Sequence, residues 1–229
     1  MPSFAFPPPL QATVAIRGSD LRLPVRRIFC VGRNYADHAR EMGNDPDREP
    51  PFFFTKPADA VVGHGAVLPY PLATKDLHYE GELVAAIGRA GTNIAEAEAL
   101  AHVWGYAPGN DLTRRDLQAE AKASQRPWDM AKGFDRSAVC GAMVPVSECG
   151  HLSRSRLTVT VNGALRQSRA LAAMIWPLPA IIAALSALVA LAPGDLIFTG
   201  TPAGVGPLAR GDICDVAIDG LGSVSISIV

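Results

Sequence analysis

The segment that most constrains this 229-residue chain is the run 78–88, HYEGELVAAIG. Its second half, Leu83 to Ile87, is apolar without interruption and reads as a buried strand. Side chains on a strand repeat every two residues, so Glu80 and Glu82 point to the same face. Two carboxylates on one face repel unless something positive lies between them. An acidic pair at the mouth of a buried strand is therefore either a solvated strand end or a cation site. Asp111, in the GND that ends the following strand, offers a third carboxylate. Three oxygen ligands and no cysteine suit a hard cation such as Mg2+ or Mn2+, with positions left for water and substrate.

The rest of the chain reads mostly as strands. Residues 27–31 (RIFCV), 52–55, 104–108, 157–161 (LTVTV), 164–167 and 195–198 are strand-like, and 213–229 gives two more. Asn162-Gly163 between two of them is a hairpin signal. Helices are predicted over 34–42, 94–103, 111–123 and the apolar stretch 180–192, with a loop over 43–51. Glycine (21) and proline (19) are frequent, as in a turn-rich fold. Strands outnumber helices and do not alternate strictly with them. That pattern predicts an α+β, β-rich mixed-sheet architecture, not a doubly wound sheet. Residues 1–24 read as an extended lead-in, and 25–229 as a single catalytic domain.

Several classes are disfavoured. A net charge of -1 lacks the basic footprint of a nucleic-acid binder. With 48% hydrophobic and 19% charged residues the chain supports a sizeable core. Cys30, Cys140, Cys149 and Cys214 form no C-x-x-C pair and read as free thiols in a reducing, cytoplasmic setting. The opening MPSFAFPPPL has no basic patch and no long apolar run, unlike a secretory signal. Residues 170–192 are apolar apart from Ser186, but Pro177 and Pro179 interrupt them and leave less than the roughly 20 residues a bilayer needs. A helix with so little polar face is expected to be covered on all sides.

His38 and Glu41 lie three apart on the predicted helix and so share a face. A carboxylate beside an imidazole fixes its tautomer and raises its basicity, as a general base requires. An ordinary surface pair is the plain alternative. The run TGTPAGVG (199–206) lacks the GK[ST] ending of a phosphate loop, but its N–H groups and Thr201 are suited to a carboxylate.

Taken in order, VGRNYADHAREMG, FFFTKP, HYEGELVAAIG, NDLTRRDLQ, PWDMAKGFD, VNGALRQ and PGDLIFTGTPAGVG resemble the fumarylacetoacetate hydrolase superfamily, from about Ile28 to the C-terminus. The resemblance is greatest to its short acylpyruvases. It implies a mixed-sheet roll and a Mg2+ or Mn2+ held by Glu80, Glu82 and Asp111. It implies a lid helix whose His38–Glu41 pair activates water, with Lys132 and Gln118 facing the substrate. Thr201 would help to hold a substrate carboxylate, while Arg33, Arg115 and Lys56 either contact substrate or brace the metal ligands. His78 belongs to the same motif, as a ligand or as a satisfied strand histidine.

The implied reaction is hydrolysis of a carbon–carbon bond in a small acylpyruvate, foremost fumarylpyruvate to fumarate and pyruvate, as in gentisate-type aromatic degradation. Oxaloacetate decarboxylation and 2-hydroxy-diene-dioate isomerase or hydratase chemistry are the family alternatives, and a non-catalytic keto-acid-binding protein is the alternative outside catalysis. The family also implies a homodimer, with no nucleic-acid or membrane partner. A site that prefers a dianionic substrate needs a further cation at the acyl end. Arg114 and Arg126 are the candidates, although an ordinary surface charge is the plainer reading of each.

Overall fold

The computed structural model describes residues 3–37, 50–152 and 154–229. Its centre is the strand Gly81–Ile87, buried along its whole length. The uninterrupted apolar run needs cover on two faces, and the fold supplies two cores. Leu83, Ala85 and Ile87 enter one apolar cluster, Val84 and Ala86 the other. Around this strand the main sheet runs Phe52–Lys56, Arg27–Gly32, Asp195–Phe198, Gly81–Ile87, Val103–Asp111, Ala138–Cys140 and Val61–Val62, with Val144–Pro145 also paired to Val103–Asp111. The sheet is mixed. Asp195–Phe198 runs parallel to Arg27–Gly32 and antiparallel to Gly81–Ile87.

The larger cluster is closed by a five-stranded sheet of Ala164–Ala170, Arg156–Val161, Ile213–Ile218, Gly222–Ile228 and Ala66–Leu68. That sheet lies against the start of the central strand. A Cβ at Gly81 would stand 2.3 Å from Val159 Cγ2, so the residue between Glu80 and Glu82 has to be glycine for the sheets to meet. Because Gly81 faces this sheet, the two glutamates face the other way. Residues 13–24 form an antiparallel hairpin, Thr13–Ile16 with Ser19–Pro24, whose Val14 and Leu23 join the second cluster.

Five of the eight main-sheet strands lie where the periodicity predicts, whereas Val61–Val62, Ala138–Cys140 and Val144–Pro145 carry no such signal, and Asn162 and Gly163 turn the Arg156–Val161/Ala164–Ala170 hairpin with φ of 52° and 76°. Three expectations need correction. The strand predicted over 78–88 breaks at Glu80. Leu77–Tyr79 pairs instead with Thr113–Arg114 and Gly206–Leu208 in a small separate sheet. The helix predicted from residue 111 starts only at Arg115, because Asp111 completes the ladder of Val103–Asp111. The helix predicted over 94–103 is a 3-10 segment, Glu96–His102.

The apolar helix is Leu178–Leu188, and it buries Leu178, Ile181, Ile182, Leu185 and Ser186. On its other side Pro179, Ala180, Ala183 and Ala184 are half-buried, and Ala187 and Leu188 are exposed, Leu188 by 70%. Among the described residues no helix is long and apolar enough to cross a membrane. All four cysteines are free; Cys30, Cys140 and Cys214 are buried and Cys149 is half-buried.

Candidate metal centre and substrate cleft

Glu80, Glu82 and Asp111 converge where the main sheet meets the small one. Their ligand oxygens lie within 4.8 Å of one another, and all three side chains are buried. Backbone pairing accounts for the convergence. Gly81 stands opposite Asn110, and the Asp111 N–H donates to the Glu80 carbonyl at 2.9 Å, so Asp111 sits beside Glu80 on the neighbouring strand. Asn110 Oδ1 accepts the Glu80 N–H at 2.9 Å and fixes the break between the two strands.

Three cations surround the acids. Lys132 ends the short helix Asp129–Lys132, and its Nζ donates to Glu80 Oε2 at 2.7 Å and Asp111 Oδ2 at 2.9 Å. Burial would lower the Lys132 pKa, but the charges of Asp111 and Glu80 outweigh it and raise the pKa above the usual lysine value. Lys56 Nζ stands 2.7 Å from Asp111 Oδ1, donates to the Leu112 carbonyl at 3.0 Å, and also donates to the Lys132 carbonyl. Arg115 Nη2 donates to Glu80 Oε1 at 2.5 Å.

Glu82 is different. It accepts the Gly200 N–H at 2.8 Å but has no ion pair among the described residues. Burial, then the charges of Asp111 and Glu80, push its pKa well above the carboxylate range. A buried carboxylate with no cation among the described residues, beside two that have them, fits a hard divalent ion bound by these three residues. The oxygen-only donor set fits the same ion.

A cleft opens from this cluster, lined by Gly32, Arg33, Phe54, Arg115, Gln118, Lys122, Trp128, Lys132 and Thr201 together with Glu80 and Glu82. Gln118 is buried, and its Oε1 accepts from Arg115 Nη1 at 2.6 Å. Thr201 Oγ1 accepts from Gln167 Nε2 at 2.9 Å, and Gln167 Oε1 accepts the Gly81 N–H at 3.0 Å, which ties this loop to the metal strand. Arg33 has a left-handed backbone, φ 58°, and its guanidinium stands 5.4 Å from the Phe52 ring centre and 5.9 Å from that of Trp128.

Lys56 lies behind Asp111, with no exposed side chain and outside the cleft lining. The His78 ring stands 2.9 Å from Asp76 and 3.4 Å from Arg115, not among the clustered acids. Burial and then the Arg115 charge lower its pKa, which favours the neutral ring. His38 and Glu41 lie outside the described residues.

The structure adds residues that the motifs do not single out for a role: Asn110, Gly200, Gln167, Lys122 and Trp128. Asn110 and Gly200 flank the ligands in sequence or space and carry a signal in the ND and TGTP strings. Lys122 has no such signal.

Residues 27–229 match the family described as fumarylacetoacetate (FAA) hydrolase C-terminal. The chain is similar to the crystal structure of fumarylpyruvate hydrolase from Pseudomonas aeruginosa in complex with Mn2+ and pyruvate, with 50% identity, 99% of each chain covered and a TM-score of 0.98. It is 41% identical to the mitochondrial oxaloacetate tautomerase FAHD1 of Mus musculus over 89% of this chain and 91% of that protein. It is 39% identical to the mitochondrial oxaloacetate decarboxylase of Dictyostelium discoideum over 86% of this chain and 90% of that one. The sheet architecture, the buried acidic triad and these matches agree: the chain belongs to the fumarylacetoacetate hydrolase family and is an enzyme of that superfamily.

Proposed function

We propose that this enzyme hydrolyses a carbon–carbon bond in an acylpyruvate, foremost fumarylpyruvate, with a Mg2+ or Mn2+ held by Glu80, Glu82 and Asp111. The observation that carries this reading is a buried acidic triad opening into a cationic cleft, in a chain 50% identical to a fumarylpyruvate hydrolase crystallised with Mn2+ and pyruvate. When bound, the metal supplies Lewis-acid stabilisation to the oxygens of the keto acid.

The remaining steps belong to the chain's own groups. Thr201, Arg33 and Arg115 orient the carboxylate and keto group. His38, set by Glu41, takes a proton from water, and the hydroxide adds to the carbonyl at the acyl end. Lys132 and Gln118 offer positive charge and an N–H to the developing oxyanion. The bond to the methylene then breaks, with its electron pair passing into the enolate of pyruvate, which takes up a proton. Buried Lys56 holds Asp111 in place throughout.

The relatives named for oxaloacetate support a second reading, tautomerisation or decarboxylation of oxaloacetate, since those reactions also run through an enol or enolate. Free thiols fit a cytoplasmic enzyme. The exposed Leu188 at the end of Leu178–Leu188 fits a homodimer. A turnover panel of fumarylpyruvate, acetylpyruvate, maleylpyruvate and oxaloacetate with Mg2+ or Mn2+ separates the readings. Fumarylpyruvate is expected to be the fastest of the four. Turnover of oxaloacetate alone would replace hydrolysis by the second reading.

A further inference from the structure

The helix Arg115–Ala123 carries cleft residues at three positions of one face, Arg115, Gln118 and Lys122. The first two belong to the metal end. Lys122 lies about 10 Å further along the axis from Arg115, at 1.5 Å rise per residue. There its Nζ stands 5.2 Å from the centre of the Trp128 ring, and the Arg33 guanidinium stands 5.9 Å from the same centre. Among the described residues Lys122 has no ion pair with an acid, in contrast to Lys56, Lys132 and Arg115.

We propose that Lys122, on its Trp128 platform beside Arg33, is the recognition cation for a second carboxylate at the acyl end of the substrate, so that the cleft selects dicarboxylic over monocarboxylic acylpyruvates. The proposal rests on the acylpyruvate reading above. A half-buried ammonium beside like charges is unfavourable on its own. Burial first, then Arg33 and Arg115, hold Lys122 below the usual lysine range, against the opposing charge of Glu80. An anion arriving at this end relieves that repulsion, whereas a neutral acyl group does not.

The two arginines that the sequence offers for this task are elsewhere. Arg114 lines a separate cavity of about 350 Å3 with Leu77, Leu112 and Phe134, its guanidinium 4.4 Å from the Phe134 ring centre. Arg126 lies past the helix end, exposed and outside the cleft lining.

The test pairs binding with turnover in the Mg2+-loaded full chain. Calorimetric titration compares 2-oxoadipate, a keto acid with a second carboxylate, with 2-oxohexanoate, which has a methyl end. Lys122→Met is expected to weaken 2-oxoadipate by roughly tenfold or more and 2-oxohexanoate by less than about threefold, with Lys122→Arg restoring most of the difference. In turnover, Lys122→Met should raise KM for fumarylpyruvate more than for acetylpyruvate, with kcat changing less. Equal weakening of both keto acids, or of neither, overturns the proposal. Wild-type protein that turns over neither acylpyruvate strikes the functional reading alone, because the binding pair still decides the role of Lys122.

Discussion

The two ends of the cleft handle charge in opposite ways. At the metal end, Glu80 and Asp111 are gripped by Lys132, Lys56 and Arg115 at 2.5–2.9 Å, and Glu82 is left for an added cation. At the acyl end, Lys122 and Arg33 crowd against Trp128 and Phe52, and Lys122 has no acidic partner among the described residues. At the first end Glu82 has no cation among the described residues, and at the second Lys122 has no acid among them. An enzyme divided in this way obtains affinity from one end and discrimination from the other.

The largest effect should come from the metal end. Replacing Glu82 or Glu80 with Ala removes a ligand without opening the apolar core, so turnover should be abolished while the protein stays folded. Assays at saturating Mg2+, with circular dichroism as the folding check, read both outcomes. Retained turnover in either variant would mean that the triad does not hold a catalytic ion.

Next is the proton-transfer group. His38→Ala should lower kcat by about 10²-fold or more with a smaller change in metal affinity, and Glu41→Gln should lose less. Wild-type turnover in His38→Ala would place water activation on another residue. The Lys122→Met selectivity change, roughly tenfold, comes third and addresses the acyl end alone.

The smallest effect concerns the helix that joins the two ends. Asp116, in its first turn, accepts from Thr74 Oγ1 at 2.6 Å, Lys75 N–H at 2.9 Å and Leu117 N–H at 2.9 Å. Partial burial opposes its charge, but these hydrogen bonds together lower its pKa below the usual 3.8. A depressed folded-state pKa contributes stability above the unfolded value, and that stability is lost as pH falls through the folded one. Asp116→Asn should therefore cost about 1 kcal/mol or less at neutral pH, solvent screening included, and the cost should fade below pH 3.8. Urea unfolding at several pH values measures it. A cost that stays constant down to the acid limit would show that the carboxylate charge is not what anchors the helix.

The metal end is legible in the sequence because strand geometry fixes it. Period two puts Glu80 and Glu82 on one face, and the ND string ends the adjacent strand. What the sequence hides there is tertiary. Gly81 is set by contact with Val159, the strand break by the Asn110 side chain, and the late helix start by the Asp111 ladder. Each depends on a partner distant in the chain. The acyl end is almost illegible. A lysine in a polar helix reads as a solvated surface residue, and only the position of Trp128 turns Lys122 into part of a wall. Arg114, which the sequence leaves open between binder and surface charge, lines another cavity, beyond the short strand Thr113–Arg114.

The most direct measurement is fumarylpyruvate turnover after exhaustive EDTA treatment, followed by return of Mg2+ or Mn2+. Turnover should vanish on chelation and return with the ion, with wild-type protein preferring fumarylpyruvate to acetylpyruvate. Full activity in the stripped protein, or no cleavage of fumarylpyruvate with either metal present, would contradict a metal-dependent acylpyruvate hydrolase.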